Sequence, residues 1–519
     1  MQKRVGATRW AAWLLVVAGL TACGGGGSDT AQPARMQASP MLQSEARVQL
    51  SGVHASVGVK SRALAPATLP LLARVQLGEL ILAKGAPLRE DGVRLVGVSR
   101  SLAETAAPDD LAARWHWKTT PAGTKVAALS VLASGAHGLR LALRVEALPA
   151  DALLRVYSQA RPETVYELAG KQVLETIERN LAAGETGDAA QTWWTPELGA
   201  DEQTLEIELP PDTDPQALRV SVPQVSHIFE DLSVPPEGTL VSKINESDTC
   251  NLDASCYDEG AAQRNAVARM VFTKDGSTYT CTGTLLNDLA SSGTPYFLSA
   301  NHCISTQAAA SSLQTDWFYR SPTCNSRTLS SASVRRFGGA TLLYASSASD
   351  ISFMRLNEVP PIGAMFAAWD ATPQASGAAV YGLHHPRTDL LKISLGSVVG
   401  ELSCTNLSGT QFTCNGTSGN FYQVQWTKGT TESGSSGSAL FRGGYVVGTL
   451  FGGAATCTPS GGFDVYGRLE VAFKDGISQW LGGGSGAVPR NAFAELVDRL
   501  LTVDPTIPIS PSKKLIRRE

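Results

Sequence analysis

From about residue 47 to 235 the chain alternates short apolar runs with polar turns. The runs are Ala73-Arg-Val-Gln-Leu, Arg94-Leu-Val-Gly-Val, Lys125-Val-Ala-Ala-Leu, Gly138-Leu-Arg-Leu-Ala-Leu-Arg-Val, Ala152-Leu-Leu-Arg-Val-Tyr, Thr204-Leu-Glu-Ile-Glu-Leu and Leu218-Arg-Val-Ser-Val. An apolar residue at every second position lines one face of a strand, so this half reads as antiparallel strands packed as a β-sandwich. One helix is predicted, from about Leu174 to Ala183. The stretch Pro235-Pro-Glu-Gly-Thr-Leu-Val-Ser-Lys243 has the turn residues of a linker and sets a domain boundary. Beyond Val267 short strands resume: Ala268-Arg-Met-Val-Phe, Tyr279-Thr-Cys-Thr-Gly-Thr-Leu-Leu, Pro295-Tyr-Phe-Leu-Ser-Ala, Ile351-Ser-Phe-Met-Arg-Leu, Ala378-Ala-Val-Tyr-Gly-Leu, Tyr422-Gln-Val-Gln-Trp and Tyr445-Val-Val-Gly-Thr-Leu. This all-β pattern fits a pair of β-barrels closed by a helix near Val471 to Leu481. The remaining tail, 485–519, holds a predicted helix from Asn491 to Leu501 and a solvated basic cluster at Lys513, Lys514, Arg517 and Arg518.

The 519 residues exceed one ordinary core and, at about 150 per domain, point to two or three units. Forty-three basic and 47 acidic residues leave a net charge of -4, which excludes nucleic acid as a bulk partner. The chain opens with Lys3, Arg4 and Arg9, an apolar run from Trp10 to Leu20, and Leu20-Thr21-Ala22-Cys23. That order is an export signal, and the run is too short to span a bilayer permanently. Its end resembles the lipobox of bacterial lipoproteins, which implies a lipoprotein signal over 1–23 whose Cys23 becomes the lipidated first residue of the mature protein, and an anchor on the outer membrane or cell surface. Residues 24–46, rich in Gly, Ala, Gln and Pro, read as a disordered tether.

Nine cysteines become an even set of eight once Cys23 is set aside, all from Cys250 onward. An exported chain oxidises such a set, and spacings without paired C-x-x-C ligands give no zinc site; no metal or cofactor is expected. His54, His116, His137 and His227 are scattered without ligand spacing. The pairs Trp115/Trp117 and Trp193/Trp194 are read as packing residues of the sandwich in preference to a carbohydrate platform.

Candidate chemistry lies in the second half. Gly434-Ser435-Ser436-Gly437-Ser438 precedes the apolar run Ala439-Leu440-Phe441. The glycines leave the backbone beside the Ser436 hydroxyl bare, so its amides can face a developing oxyanion. A serine needs a base and an acid that orients it. Tyr296-Phe-Leu-Ser-Ala-Asn-His302-Cys303 runs an apolar strand into a histidine, and Ser349-Asp350-Ile-Ser-Phe-Met-Arg-Leu356 places an acid at the head of another. The order His302, Asp350, Ser436 excludes subtilisin-type and α/β-hydrolase arrangements, and Ser438 stands where the hydrolase elbow wants glycine.

Ala300-Asn301-His302-Cys303 and Gly434-Ser435-Ser436-Gly437-Ser438 resemble the histidine and serine motifs of chymotrypsin-fold serine proteases. More narrowly, the chain is similar to the bacterial lysyl endopeptidases. The matching pieces are Cys250-Asn-Leu-Asp-Ala-Ser-Cys256, Cys281-Thr-Gly-Thr-Leu-Leu-Asn287, His302-Cys303, His384-His385-Pro386, Thr431-Glu432 and Asp464-Val-Tyr-Gly-Arg468, spread over about residues 240 to 482. The resemblance implies a trypsin-like double β-barrel over 236–484, preceded by the β-sandwich-like 47–235. It implies that Ser436 attacks, His302 shuttles the proton, Asp350 fixes the imidazole, and the amides of Gly434 and Ser436 hold the oxyanion. It implies pairs Cys250–Cys457, Cys256–Cys324 and Cys281–Cys303. With those borrowed from the family, Cys404–Cys414 is inferred as the remaining bridge.

By the same resemblance Asp464 lies at the base of the primary specificity pocket, and Thr449, Leu450, Phe451 and Gly452 form the edge that pairs with substrate backbone. The implied activity is endoproteolysis after basic residues, Lys favoured over Arg, by a monomer. The alternative is an inactive, protease-like binding or adhesion lipoprotein. The sequence departs from the family in lacking a Trp between Trp369 and Trp426 and in placing Phe451 where the family has His. Ser435 replaces the acid that pairs with a freed N-terminus in animal relatives, and His384 and His385 read as structural. Lys243–Ile244 is a candidate self-processing bond, which makes 47–235 a pro-domain that folds or inhibits, with release after processing, or else a permanent spacer.

Overall fold

In the N-terminal half the alternation of apolar and polar residues resolves into two facing sheets, seen in a computed structural model that describes residues 42–50, 59–61, 72–81, 89–90, 93–232, 246–408, 411–457 and 462–482. One sheet runs Val59–Ser61, Arg161–Ala169, Leu153–Ser158, Glu202–Leu209, Lys125–Ala133 and Leu72–Leu77, the last pair parallel. The other begins with Thr192–Trp194, Gly138–Ala147, Gln224–Ile228 and Val93–Ser101. Leu129, Val131, Leu141, Leu154, Val156, Leu205 and Ile207 meet between them and are fully buried. Glu206 and Glu208 alternate with Leu205 and Ile207 and point the other way. There Arg155, directly opposite Glu206 in register, bonds Glu206 at 3.0 Å, Glu167 at 2.9 Å and Glu208 at 2.7 Å. Trp115 and Trp193 are buried in this core and Trp117 packs against it.

The helix is Gly170–Ala182, four residues longer at its start than the apolar pattern predicts. Its first turn is capped by the Gln172 side chain, which accepts the Ala169 N–H at 3.0 Å. Two strands, Arg161–Ala169 and Gln224–Ile228, were not among the apolar runs; the first carries Pro162 and a register shift between Arg161 and Tyr166.

The second sheet does not end with the sandwich. Val93–Ser101 pairs with Gln224–Ile228 on one edge and with Ser277–Leu286 on the other. The sheet then continues through Val267–Lys274, Gln314–Trp317 and Val334–Arg336. The junction buries a charged cluster. Asp316 accepts from Arg269 at 2.8 Å and from Arg335 at 2.5 Å, Arg335 pairs with Glu197, and Arg269 donates to the Leu232 carbonyl at 2.9 Å. Arg140 donates to the Ser312 carbonyl at 2.6 Å. Asp316 compensates Arg269 and Arg335 within the second half, while Arg335–Glu197, Arg269 to Leu232 and Arg140 to Ser312 cross between the halves, which offsets part of the cost of burying these charges.

The first barrel, Val267–Lys274 through Ile351–Leu356, is an open half-barrel. The second closes with six strands: Ala379–His384, Lys392–Ser408, Phe421–Lys428, Asp464–Arg468, Tyr445–Gly453 and Ala439–Arg442. Helical turns from Leu469–Ala472 to Ser478–Leu481 close the chain against both, with Phe473 on Trp369 and Trp480 on Phe353. Residues 42–50 form a strap in which Arg47–Val48 pairs with Met365–Phe366 between the barrels. Among the described residues no helix is long and apolar enough to cross a membrane. Cys23, His54, the Lys243–Ile244 bond and the predicted helix at Asn491 to Leu501 lie outside the described residues.

Candidate active site

The half-barrel brings the predicted base and acid together through strand pairing. Tyr296–Ala300 lies antiparallel to Ile351–Leu356, with Ala300 opposite Ile351. His302 follows the first strand and Asp350 precedes the second, so both stand at the same end of the pair. Asp350 adopts φ 50°, which turns its carboxylate back toward the histidine. One oxygen accepts the His302 backbone N–H at 2.9 Å, and the other lies 2.7 Å from Nδ1. A carboxylate only accepts, so Nδ1 carries the proton and Nε2 presents its lone pair. Nε2 is buried and has no hydrogen-bond partner among the described residues. Burial pushes the Asp350 carboxyl up, opposed by its bonds to His302.

Ser436 comes from the closed barrel. Its carbonyl accepts the Thr282 N–H at 2.9 Å, and the Thr282 hydroxyl donates to the Gly434 carbonyl at 2.9 Å. Cys281, next to Thr282, is bonded to Cys303, next to His302. These contacts draw the serine loop against the half-barrel. A side chain at Gly437 (φ 77°) would come within 2.2 Å of the Ser299 hydroxyl, and one at Gly434 (φ 97°) within 2.8 Å of the His385 carbonyl, so both positions need glycine. Among the described residues neither the Gly434 nor the Ser436 N–H meets a backbone acceptor.

Asp464 is 1 % exposed at the head of Asp464–Arg468. One of its oxygens accepts from Trp426 Nε1 at 2.6 Å and Thr431 Oγ1 at 2.7 Å. Among the described residues no cation pairs with it, and burial pushes its carboxyl up to about 6. Trp426 and Thr431 belong to Phe421–Lys428 and the loop before Ser436, so the acid, its two donors and the serine are set by one barrel.

The strand Tyr445–Gly453 carries the four residues expected to pair with substrate. Thr449 already pairs with Ala439 and Gly467. Leu450 donates to the Ser438 carbonyl and accepts the Gly437 N–H, both at 2.9 Å. The edge beyond Thr449, carried by Phe451 and Gly452, is not covered by Ala439–Arg442. Phe451 sits edge-on to the His302 ring at 6.0 Å and packs at a tilt against Phe412 at 4.4 Å. Phe412 lies on the hairpin strand Gln411–Asn415, which Cys404–Cys414 staples to Lys392–Ser408. The other bridges join Cys250 to Cys457 and Cys256 to Cys324.

Several further residues shape this region. His384 and His385 are fully buried, and burial pushes them down to about 3 and about 4. Glu432 accepts from Asp248 N–H at 2.8 Å, Asn251 at 2.7 Å and Arg387 at 2.6 Å, which ties the segment after residue 245 to the serine loop. Arg94, from the N-terminal half, reaches the Ser433 hydroxyl at 3.5 Å. His384, His385, Asn251 and Glu432 lie within pieces that resemble the family, whereas nothing in the sequence around Arg94, Asp248 or Arg387 marks them. No group of three or more His, Cys, Asp or Glu side chains is arranged to hold a metal among the described residues.

Comparison with known proteins places both halves. Residues 244–467 match the family described as lysyl endopeptidase, C-terminal domain, and residues 68–229 match lysyl endopeptidase N-terminal domain. A lysyl endopeptidase of Pseudomonas aeruginosa is 35% identical over 398 residues, covering 72% of this chain and 79% of that protein. Among solved structures, the MamO protease domain of Magnetospirillum magneticum covers 41% of this chain and 97% of its own at 11% identity, with a TM-score of 0.29. The active form of the Rv3671c protease of M. tuberculosis covers 48% and 97% at 16% identity, with a TM-score of 0.30. Four disulfides in such a chain are those of an exported protein. The chain belongs to the lysyl endopeptidase family and is a trypsin-like serine endopeptidase.

Proposed function

We propose that this protease cleaves after lysine, and less readily after arginine, using Ser436, His302 and Asp350. The observation that carries the specificity is Asp464, a buried carboxylate with no cationic partner among the described residues. A charge held that way is costly, and a substrate ammonium relieves the cost on binding. In this reading Ser436 Oγ gives its proton to His302 Nε2 as it attacks the carbonyl carbon. Asp350 holds the Nδ1–H and steadies the imidazolium, and the Gly434 and Ser436 amides take the oxyanion. The imidazolium then protonates the leaving amine, and water repeats the cycle on the acyl-enzyme. Phe451 and Gly452 pair with the substrate backbone on the acyl side.

A panel of peptide amides differing only in the residue before the scissile bond tests this. Lys is expected to exceed Arg, and both to exceed Leu; equal cleavage after Leu and Lys would remove the role given to Asp464. Ser436→Ala is expected to lower kcat on the order of a million-fold. Labelling of Ser436 by a fluorophosphonate separates this from an inactive protease-like lipoprotein.

The N-terminal half is proposed to be a pro-domain, cut from the protease at Lys243–Ile244, with Cys23 lipidated and anchoring the precursor to the outer membrane or cell surface. N-terminal sequencing of active protein tests the cut: active protein with an intact bond would make the half a spacer. Metabolic labelling with a fatty acid, lost in Cys23→Ala, tests the anchor.

A further inference from the structure

Val267–Lys274 fills one edge of Ser277–Leu286 along its length. The other edge is divided. Thr284 to Leu286 pairs with Tyr296–Ala300, and Thr278 to Thr280 pairs with Val93–Ser101. Thr280 is two residues from Thr282, which bonds both Ser436 and Gly434. The stretch of edge taken by the N-terminal half is therefore at the rim of the candidate active site. A sheet edge pairs with one strand at a time, and an exposed one is a ready seat for an extended peptide.

The pairing has a direction. Arg94 stands opposite Thr280, Leu95 opposite Tyr279 and Gly97 opposite Thr278. The strand thus has its N-terminal end nearest Ser436 and runs away from it. A peptide with its basic side chain toward Asp464 and its acyl side along Phe451 and Gly452 carries its leaving-group residues to the opposite side of Ser436. In the reading proposed above, that side faces the half-barrel strand whose Cys281 is bonded to Cys303 and whose Thr282 holds the Ser436 carbonyl, and the residues after the scissile bond would also run away from Ser436 toward their C-terminus. The polarity is the same.

Side chains fasten the strand there. Val93 is buried with Phe272, Tyr279 and Cys281 in the half-barrel's own core, and Val96 with Ile228, Leu232 and Val271. Arg94, 7 % exposed, is paired with Glu230 and reaches Ser433, three residues before the nucleophile.

We propose that Val93–Ser101, by pairing with the Thr278 to Thr280 edge, fills the place where the leaving-group side of a protein substrate would lie and acts there as an internal plug. This rests on the proposed attack by Ser436 and on the Asp464 pocket, and it specifies what the N-terminal half blocks. Among the described residues no strand pairs with Phe451 and Gly452 on the Ala439–Arg442 side and no backbone acceptor meets the Gly434 or Ser436 N–H, while the leaving-group side is filled. A small substrate with no residue after the scissile bond is then turned over, and an extended peptide must first displace the strand.

The test uses the full chain carrying Lys243→Gln, which keeps both halves in one polypeptide. Two substrates are compared: a lysine p-nitroanilide, and an internally quenched peptide with several residues after its lysine. Leu95→Pro removes a backbone N–H within the plug, and Arg94→Ala removes the clasp on Ser433 while keeping every backbone pairing. Freeing the edge is expected to raise kcat/KM for the peptide by about tenfold in Leu95→Pro, and by a smaller factor in Arg94→Ala, because apparent affinity scales with the fraction of open seats. Anilide hydrolysis is expected to stay within about twofold, since its binding does not use the blocked seat. Because a proline inside a sheet can unfold the barrel, a selective rise in Arg94→Ala alone supports the plug. Parallel changes on both substrates, or no rise on the peptide in either folded variant, overturn it. Absence of anilide hydrolysis together with absence of fluorophosphonate labelling in the Lys243→Gln chain overturns the Ser436 reading instead.

Discussion

His384 Nδ1 lies 2.8 Å from the hydroxyl of Ser435, the residue before Ser436. The hydrogen-bond directions around the pair follow from their partners. Ser394 donates to the Thr430 carbonyl at 2.7 Å, so it accepts from His384 Nε2–H at 3.0 Å. Nδ1 then accepts from Ser435, whose oxygen takes the Glu432 N–H at 3.2 Å. A neutral histidine thus braces the serine loop at Thr430, Glu432 and Ser435, in the place where animal relatives use an acid and a freed N-terminus. Ser435→Ala leaves the buried imidazole acceptor unpaired, at about 1–3 kcal/mol. If the brace shapes the oxyanion amides, kcat falls about tenfold or more with little change in KM, and Ser435→Thr restores it. Steady-state kinetics on a lysine anilide check this; a KM effect alone would assign Ser435 to substrate binding.

The same burial predicts acid sensitivity. His384 and His385 have folded pKa values pushed down to about 3 and about 4, against about 6.5 in an unfolded chain. The unfolded state takes up protons first as pH falls, so stability is full above about 6.5 and declines below it. By pH 5 the loss is about 2 kcal/mol for each histidine. Denaturant midpoints are expected to fall steadily from pH 7 to 5. His384→Gln should be less stable at pH 7 and show a shallower slope below 6; an unchanged slope would mean that His384 is not neutral in the fold.

Local pattern carried much of this fold. Leu205 and Ile207 announce an inward face, and the apolar strands ending at Ala300 and starting at Ile351 deliver His302 and Asp350 to within 2.7 Å of each other. What sequence could not carry was pairing between distant segments. Nothing near Arg94 says that it meets Glu230 and Ser433, and nothing near Val93 says that its strand joins Ser277–Leu286. The linker read at Pro235 to Lys243 suggests two separate halves, while the sheet crosses between them through residues that read as an ordinary sandwich strand. The Gly170–Ala182 helix start was hidden because its cap is a glutamine three residues inside it.

Phe412 packs at a tilt against Phe451, which in turn meets His302, and the hairpin bearing Phe412 is held by Cys404–Cys414. The aromatic wall beside the histidine is therefore built from two phenylalanines. Phe412→Ala removes a partner of Phe451 and is expected to lower kcat/KM about threefold to tenfold, an aromatic pair being worth about 0.5–1.5 kcal/mol beyond its area. Replacing Cys404 and Cys414 together by Ala should give part of the same loss while leaving the fold stable, because the closed loop is short. Activity unchanged in Phe412→Ala would show that Phe451 holds His302 unaided.

Asp464 ties specificity to a measurable strain. Its carboxyl is pushed up to about 6 by burial, from about 3.8 for an ordinary aspartate. In the free enzyme the ionised form is therefore disfavoured in the fold, by about 3 kcal/mol once pH exceeds both values. Below about pH 3.8 the group is neutral in folded and unfolded chains and contributes nothing; between 3.8 and 6 the destabilisation grows, and above 6 it is constant. Asp464→Asn keeps an oxygen for Trp426 and Thr431 and removes the charge. It is expected to be more stable than the parent at pH 8, with the difference shrinking toward pH 4, and to lose cleavage after Lys. In the parent, kcat/KM for a lysine substrate should fall as pH drops through about 6, while binding of a lysine product at pH 8 should raise the melting temperature more in the parent than in Asp464→Asn. Stability curves of the two proteins from pH 4 to 8, with and without a lysine-terminated peptide, measure all of this together. A variant less stable than the parent at every pH would show that the carboxylate is compensated inside the fold, leaving no strain for a substrate to relieve.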